Sequence, residues 1–206
     1  MKYAVLFDSR TGNTALIAEE IRSTLKQERC VGFGMQPLTG AADVVFLGSW
    51  CDRGGFSEEM RKVISGIHHQ KVALFATCGY GMDRAYFQRI EERMKEQAGA
   101  DNDVLAAFVC QGKMPVSVRH RYEELLKDEK MKDAARAMIA NFDHALSHPD
   151  ETDLKQAEAF ALRVAGHKAR YALDRLASGV PTAGTAPLVL AADTIVVLDG
   201  DILGKP

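Results

Sequence analysis

The sequence predicts an α/β fold: a doubly wound parallel sheet, five-stranded, with helices on both faces and a C-terminal appendage. Three observations carry that expectation. Short apolar runs rich in β-branched residues recur along the chain, nearly continuous in hydrophobicity, as strands buried on both faces read. Stretches of helical period, each long enough for a crossover, separate them. The 206 residues are 47% hydrophobic and 26% charged, enough apolar surface to offset chain entropy in one domain, or one domain plus an appendage.

The strand candidates are residues 3–7, 43–48, 71–76 and 104–110, with a weaker, Gly-broken one at 30–34. Helices are expected over 14–27, 57–68 and 83–97, capped by Asn13 or Thr14, by Ser57 ahead of Glu58 and Glu59, and by Asp83. After Cys110 the pattern is helical throughout, over 116–127, 130–146 and 150–164, with Pro149 dividing the last two. Residues 178–187, rich in Gly, Pro, Ala and Thr, read as a linker. Beyond it, 188–190 and 194–198 read as strands, and Asp199-Gly200 ahead of Ile202 is a hairpin-turn signal. A strand pair of that size cannot build its own core, and the chain reads as interrupted at Pro206.

Lys and Arg number 26 against 28 Asp and Glu, so no basic excess points to nucleic acid. Cys30, Cys51, Cys78 and Cys110 have no CxxC or zinc spacing. No signal peptide and no apolar run of membrane-spanning length is read, so a cytoplasmic protein with free thiols is expected.

The sharpest local feature is Ser9-Arg10-Thr11-Gly12-Asn13-Thr14, between the first strand and the first helix. N–H groups at a helix N-terminus carry partial positive charge, Gly12 allows close approach, and Ser9, Thr11 and Thr14 offer hydroxyls, all of which suit a phosphate. The same residues also suit a plain helix cap and turn. Neither a P-loop Lys-Ser/Thr pair nor the spaced glycines of a dinucleotide site is present. Two more loops sit where such a sheet places ligands: Ser49-Trp50-Cys51-Asp52-Arg53-Gly54-Gly55 and Thr77-Cys78-Gly79-Tyr80-Gly81-Met82-Asp83. A planar heteroaromatic ligand can stack between Trp50 and Tyr80 while amides of the Gly-rich turns bind its edge. A lone Trp is otherwise a core residue. Cys51 and Cys78 read as soft packing residues or thiols beside the ring. His68-His69 reads as charge at a helix end, and His120, His144 and His148 as too scattered for a ligand set.

These loops resemble the flavodoxin family, whose phosphate loop Thr/Ser-x-Thr-Gly-x-Thr matches Ser9 to Thr14 residue for residue. The resemblance spans residues 1–164 and extends to the helix carrying Ala85-Tyr86-Phe87. It implies a five-stranded sheet in order 2-1-3-4-5, bound FMN, and electron transfer to a partner reductase. It gives the phosphate to Ser9 through Thr14 and the ring to the loops around Trp50 and Tyr80. Segments 110–119 and 141–149 resemble a flavodoxin subfamily of gut anaerobes linked to bilirubin reduction. One departure is charge: residues 1–165 carry 22 basic and 24 acidic side chains, where flavodoxins are strongly acidic. With flavin bound, Asp52 would disfavour the anionic reduced form and Arg53 would favour it, while Gly54 or Gly55 would let a peptide turn toward the ring. Rival readings are a flavin-dependent NAD(P)H oxidoreductase and a binding module that has lost its flavin.

The tail, residues 191–206, resembles the central motif of the Maf nucleotide pyrophosphatases, and His167-Lys168-Ala169-Arg170 the helix before it. That likeness would make Asp193 the catalytic acid and Lys205 a phosphate ligand. The family's N-terminal Ser-x-Ser-Pro-Arg-Arg segment is missing, so residues 165–206 are expected to be a linker plus an incomplete, inactive fragment.

Overall fold

The computed structural model describes residues 1–36, 40–81, 83–179, 196–198 and 201–203. Five strands, β1 (Lys2–Asp8), β2 (Arg29–Phe33), β3 (Val44–Trp50), β4 (Lys71–Cys78) and β5 (Asp103–Gln111), form one sheet in the order β2-β1-β3-β4-β5. Every neighbouring pair is parallel. The order and direction agree with the expectation, and all the carboxyl ends of the strands therefore share one edge.

Alternation along the strands sorts the core into two layers. On one face Ala4, Leu6, Val45, Leu47, Val72, Leu74 and Ala76 pack with Met60 and Ile64 of α2 (Glu58–Ile64) and with Ile90 and Met94 of α3 (Arg84–Gln97). On the other, Phe46 and Phe108 meet Phe160 at ring-centroid distances of 5.9 and 5.7 Å. Phe160 belongs to α6 (Glu151–Gly179), and α1 (Asn13–Thr24) buries Ile17, Ala18 and Ile21. Gly48 is needed on that second face: a Cβ there would lie 2.0 Å from the Phe75 ring. Each fully buried Phe contributes about 1.5–3 kcal/mol by removal from water.

Several element ends differ from the sequence reading. The first helix is preceded by Gly12 with φ +86° and no side-chain cap, and Asn13 and Thr14 lie inside its first turn. The left-handed Gly12 sets the entry of the chain and frees both side chains for contacts elsewhere. Ser57 and Asp83 cap as expected, accepting from the N–H of Met60 and Ala85. The second helix stops at Ile64, where the Gly66 N–H turns back to the Val63 carbonyl. His68 thus lies past the helix and pairs with Asp101 at 2.7 Å. After β5 come α4 (Val116–Leu125) and α5 (Lys132–Ala145). The last helix does not end at Val164; it runs to Gly179, through Gly166 and into the segment read as linker. Gly in a helix costs about 1 kcal/mol against Ala, which the Ala, Leu, Arg and Lys around it outweigh.

The chain divides into two compact units, residues 1–162 and 163–206. In the second, β6 (Val196–Leu198) pairs antiparallel with β7 (Asp201–Leu203), Leu198 opposite Asp201. Asp199-Gly200, the strand candidate at 188–190, Asp193 and Lys205 lie outside the described residues. Among the described residues no helix is long and apolar enough to cross a membrane.

Candidate functional site

At the carboxyl edge of the sheet four segments surround a cavity of about 920 Å³. That lies within the range of small-molecule sites, about 300–1,000 Å³. The first is the turn between β1 and α1. The N–H groups of Asn13 and Thr14, in the first turn of α1, have no acceptor within the helix. Asn13 Nδ2 donates to Thr11 Oγ1 at 2.8 Å and to the Lys113 carbonyl at 2.9 Å, tying this turn to the exit of β5. The Thr14 hydroxyl is buried and shared with Thr77, their oxygens 2.9 Å apart. Ser9 Oγ accepts from the Ala15 N–H at 3.1 Å, so it closes the helix start.

The second segment follows β3. Trp50 Nε1 donates to Asp8 Oδ2 at 2.8 Å, and the Arg10 guanidinium lies 4.8 Å from the indole centroid. Asp52 and Gly55 exchange both backbone hydrogen bonds, at 2.9 and 3.1 Å, around Arg53 and Gly54. Both central residues have positive φ, +49° and +84°, the signature of a type I′ turn. Gly54 takes that conformation freely; Arg53 carries strain, which concentrates at functional turns. Burial pushes the Cys51 thiol up, opposed by the Gly54 N–H on its sulfur.

The third segment ends β4. Cys78 is buried, its thiol donates to the Tyr80 carbonyl at 2.9 Å, and burial raises its pKa well above the ordinary value. The Gly79 carbonyl accepts from Gln111 Nε2 at 3.1 Å and Asn141 Nδ2 at 3.0 Å, and the Gly81 N–H reaches Asn141 Oδ1. Gln111 Oε1 meets His144 Nδ1 at 2.8 Å, and the His144 and His148 rings stack at 4.9 Å. Of the histidines that looked scattered in sequence, His144 thus braces this loop through Gln111, with His148 stacked on it. His148, Asp150 and Asp153 place ligand-capable atoms within 4.8 Å of one another. Those carboxylates are already engaged, since Asp150 and Asp153 accept each other's N–H at the start of α6 and His148 Nδ1 lies 2.6 Å from Asp153.

Of the residues singled out by sequence, Arg10, Thr11, Asn13, Trp50, Cys51, Asp52, Thr77, Cys78 and Gly79 line the cavity. The others are placed behind or beside it. Ser49 is fully buried, donating to the Trp50 carbonyl and accepting from the Ser57 N–H. Gly54 shapes its turn, and Gly81 and Asp83 hold the loop and cap α3. Met82 lies outside the described residues. Tyr80 is not among the described residues that line the cavity; its ring packs edge-on against Tyr86 at 4.9 Å. The second aromatic ring in the lining is Tyr122 instead.

Tyr122 belongs to the fourth segment, Gly112 to Tyr122, which sequence reasoning missed as part of the site. A signal was present. Every strand of a parallel sheet ends at the same edge, so the loop after the fifth strand had to emerge beside the other three. Gly112 also marks a close approach, since a Cβ there would sit 2.7 Å from the Asn13 amide. Arg10, Arg53, Lys113 and Arg121 give the cavity four basic side chains against one acidic, Asp52. Two aromatic rings, free N–H groups at a helix start and surplus positive charge fit a planar aromatic ligand bearing a phosphate.

Comparison with known proteins agrees with this architecture. A family model described as the flavodoxin domain matches residues 4–162. A flavodoxin-like domain-containing protein BilS of Clostridioides difficile is 34% identical over 168 residues, covering 78% of this chain and 94% of the relative. BilS of Clostridium symbiosum is 32% identical over 180 residues, covering 79% and 95%. Oxidised flavodoxin 2 of Bacillus cereus superposes with a TM-score of 0.50 at 19% identity, over 81% of this chain and 99% of that one. Rubredoxin oxygen:oxidoreductase of Desulfovibrio gigas gives 0.53 at 13% identity, over 83% of this chain but only 37% of that larger protein. Those two likenesses concern the fold. By sequence and by topology, the chain belongs to the flavodoxin-domain family.

Proposed function

We propose that residues 1–164 bind FMN at the carboxyl edge of the sheet and carry electrons to a partner reductase. The observation that carries this reading is the convergence of the α1 turn, Trp50 and the basic side chains on one cavity. A bound flavin would supply the electron-accepting and electron-donating chemistry. The chain's own residues do the rest. The N–H groups of Asn13 and Thr14 and the Thr11 hydroxyl are offered to the phosphate. Asn13 holds that turn against the exit of β5, and Thr77 anchors Thr14. Trp50, fixed by Asp8, offers a ring face once Arg10 moves from it. Arg53 and Asp52, side by side on one strained turn, bias the site electrostatically in opposite directions. Asp52→Asn should therefore raise the midpoint potential, and an unchanged potential in a redox titration would contradict that role.

The resemblance of segments 110–119 and 141–149 to the bilirubin-associated subfamily supports a reductase of that kind as the electron acceptor. Localisation in the cytoplasm accords with four free thiols. Residues 165–206 form an appendage to which we assign no hydrolysis. The direct test mixes chemically reduced, FMN-loaded protein anaerobically with the reductase and follows reoxidation in a stopped-flow instrument. Reoxidation that speeds up with reductase concentration supports the carrier reading. A second reading, a flavin-dependent NAD(P)H oxidoreductase, is favoured by four basic side chains where one phosphate needs fewer. Rapid bleaching of the flavin by NADPH alone would make it the better one.

A further inference from the structure

Helix α4 is built unlike its neighbours. Its ten residues include no buried one, its N-cap is Pro115 with no side-chain acceptor, and neither terminal turn carries a compensating charge. Its main packing partner is α5, and Val116 at its start is 63% exposed. A helix of this length, uncapped and without a buried face, falls below the roughly 12–15 residues at which helices hold by themselves in water. α5 covers one side, where the Arg119 guanidinium lies 5.7 Å from the Phe142 ring and pairs with Asp143, and the cavity lies against another. The side that lines the cavity carries Val118 and Tyr122, one turn apart and both half-buried, as Arg119 and Leu125 also are. Tyr122 and Trp50 are the two aromatic rings in that lining, while Tyr80 is engaged with Tyr86.

We propose that α4 is a ligand-ordered wall of the flavin site, with Tyr122 supplying the second ring contact expected of Tyr80. The proposal rests on the flavin reading above and adds to it which element closes the site and how. Filling the cavity with a planar ligand buries Val118 and Tyr122, giving α4 the apolar partner that the sheet does not provide. Binding and helix order are then coupled, so α4 should be a low-stability segment until the ligand is present.

The test uses the full chain and FMN itself. Hydrogen–deuterium exchange is measured with and without saturating FMN, and FMN affinity is measured by fluorescence for wild type, Tyr122→Ala, Tyr122→Phe and Tyr80→Ala. Amides of α4 are expected to exchange at least about tenfold more slowly with FMN, while those of α3 and β4 hardly change. Tyr122→Ala should weaken FMN binding about tenfold and leave bound flavin more fluorescent, as loss of one stacking partner does. Tyr122→Phe, which keeps the ring, and Tyr80→Ala should each stay within about twofold of wild type. Exchange in α4 that ignores FMN overturns the proposal, as does Tyr122→Ala binding like wild type while Tyr80→Ala loses affinity. The exchange comparison needs no variant, so a Tyr122→Ala protein that misfolds does not blunt the test. Wild-type protein that takes up no FMN overturns the flavin reading and this proposal with it. Uptake with α4 unaffected overturns this proposal alone.

Discussion

Thr14 and Thr77 meet through their hydroxyls at 2.9 Å, both buried, on adjacent walls of the site. Removing one leaves the other unpaired in the interior, which costs about 1–3 kcal/mol, whereas removing both removes the need. Thr14→Val and Thr77→Val should each destabilise by that amount in urea unfolding, and the double variant by clearly less than their sum. Strict additivity would mean the hydroxyls act independently. Burial likewise raises the thiols of Cys78 and Cys110 well above their ordinary range, and pushes Tyr3 and Tyr86 up to about 12. All four prefer the protonated form when folded more than when unfolded. Their contribution is therefore intact below the unfolded thiol pKa of about 8.5 and is lost as pH rises toward the folded values. The urea midpoint should fall between pH 8 and pH 10.5, and fall less in a Cys78→Ala, Cys110→Ala double variant. An equal fall in both proteins would remove the thiols from the account. At this scale the sequence was informative about residue types and silent about direction. Ser9, Thr14 and Ser49 have the chemistry of phosphate ligands, yet their oxygens are engaged inside the fold by Ala15, Thr77 and Ser57. Nothing local distinguishes a hydroxyl that faces a ligand from one that closes a turn.

Strands β1, β3 and β4 were legible as elements because they are buried on both faces, whereas β2, exposed or half-buried throughout, was the weak candidate. The aromatic layer on the second face makes that burial testable. Phe160 sits between Phe46 and Phe108, and Phe160→Ala should cost about 3–5 kcal/mol, read from denaturant unfolding. Gly48→Ala should also destabilise, by about 1–3 kcal/mol, since its Cβ would enter the Phe75 ring and the ring has no free space to take. A stable Gly48→Ala protein would place that ring elsewhere. Helix ends were harder to read, because they are decided by contacts distant in sequence. The short α2 ends where Gly66 turns back, and α6 continues through Gly166 because strong helix formers flank it. The segment from Gly112 to Tyr122 was read as part of the resemblance at 110–119 and as the start of a helix at 116–127, not as a wall of the site. Its role follows from topology, since β5 delivers it to the same edge as the other loops.

For the whole molecule, charge and division set the expectations. Overall the chain is near neutral, yet the cavity is basic, so anionic ligands are concentrated locally without a strongly charged surface. Flavin affinity should accordingly fall as salt rises from low to physiological concentrations, more steeply for FMN than for riboflavin, which lacks the phosphate. Among the described residues, those that line the cavity lie within residues 1–162, one of the two compact units. A chain ending at residue 164 should thus bind FMN as the full protein does, and neither should release pyrophosphate from nucleoside triphosphates. We propose that this edge of the sheet holds a flavin. It is tested most directly by titrating FMN into the purified, flavin-stripped full chain while following flavin fluorescence and visible absorbance. Saturable quenching with a shifted absorption band, at one flavin per chain and lost in Trp50→Ala, is the expected result. Unquenched fluorescence and an unaltered spectrum at every concentration would contradict it, leaving the basic cavity to a ligand of another kind.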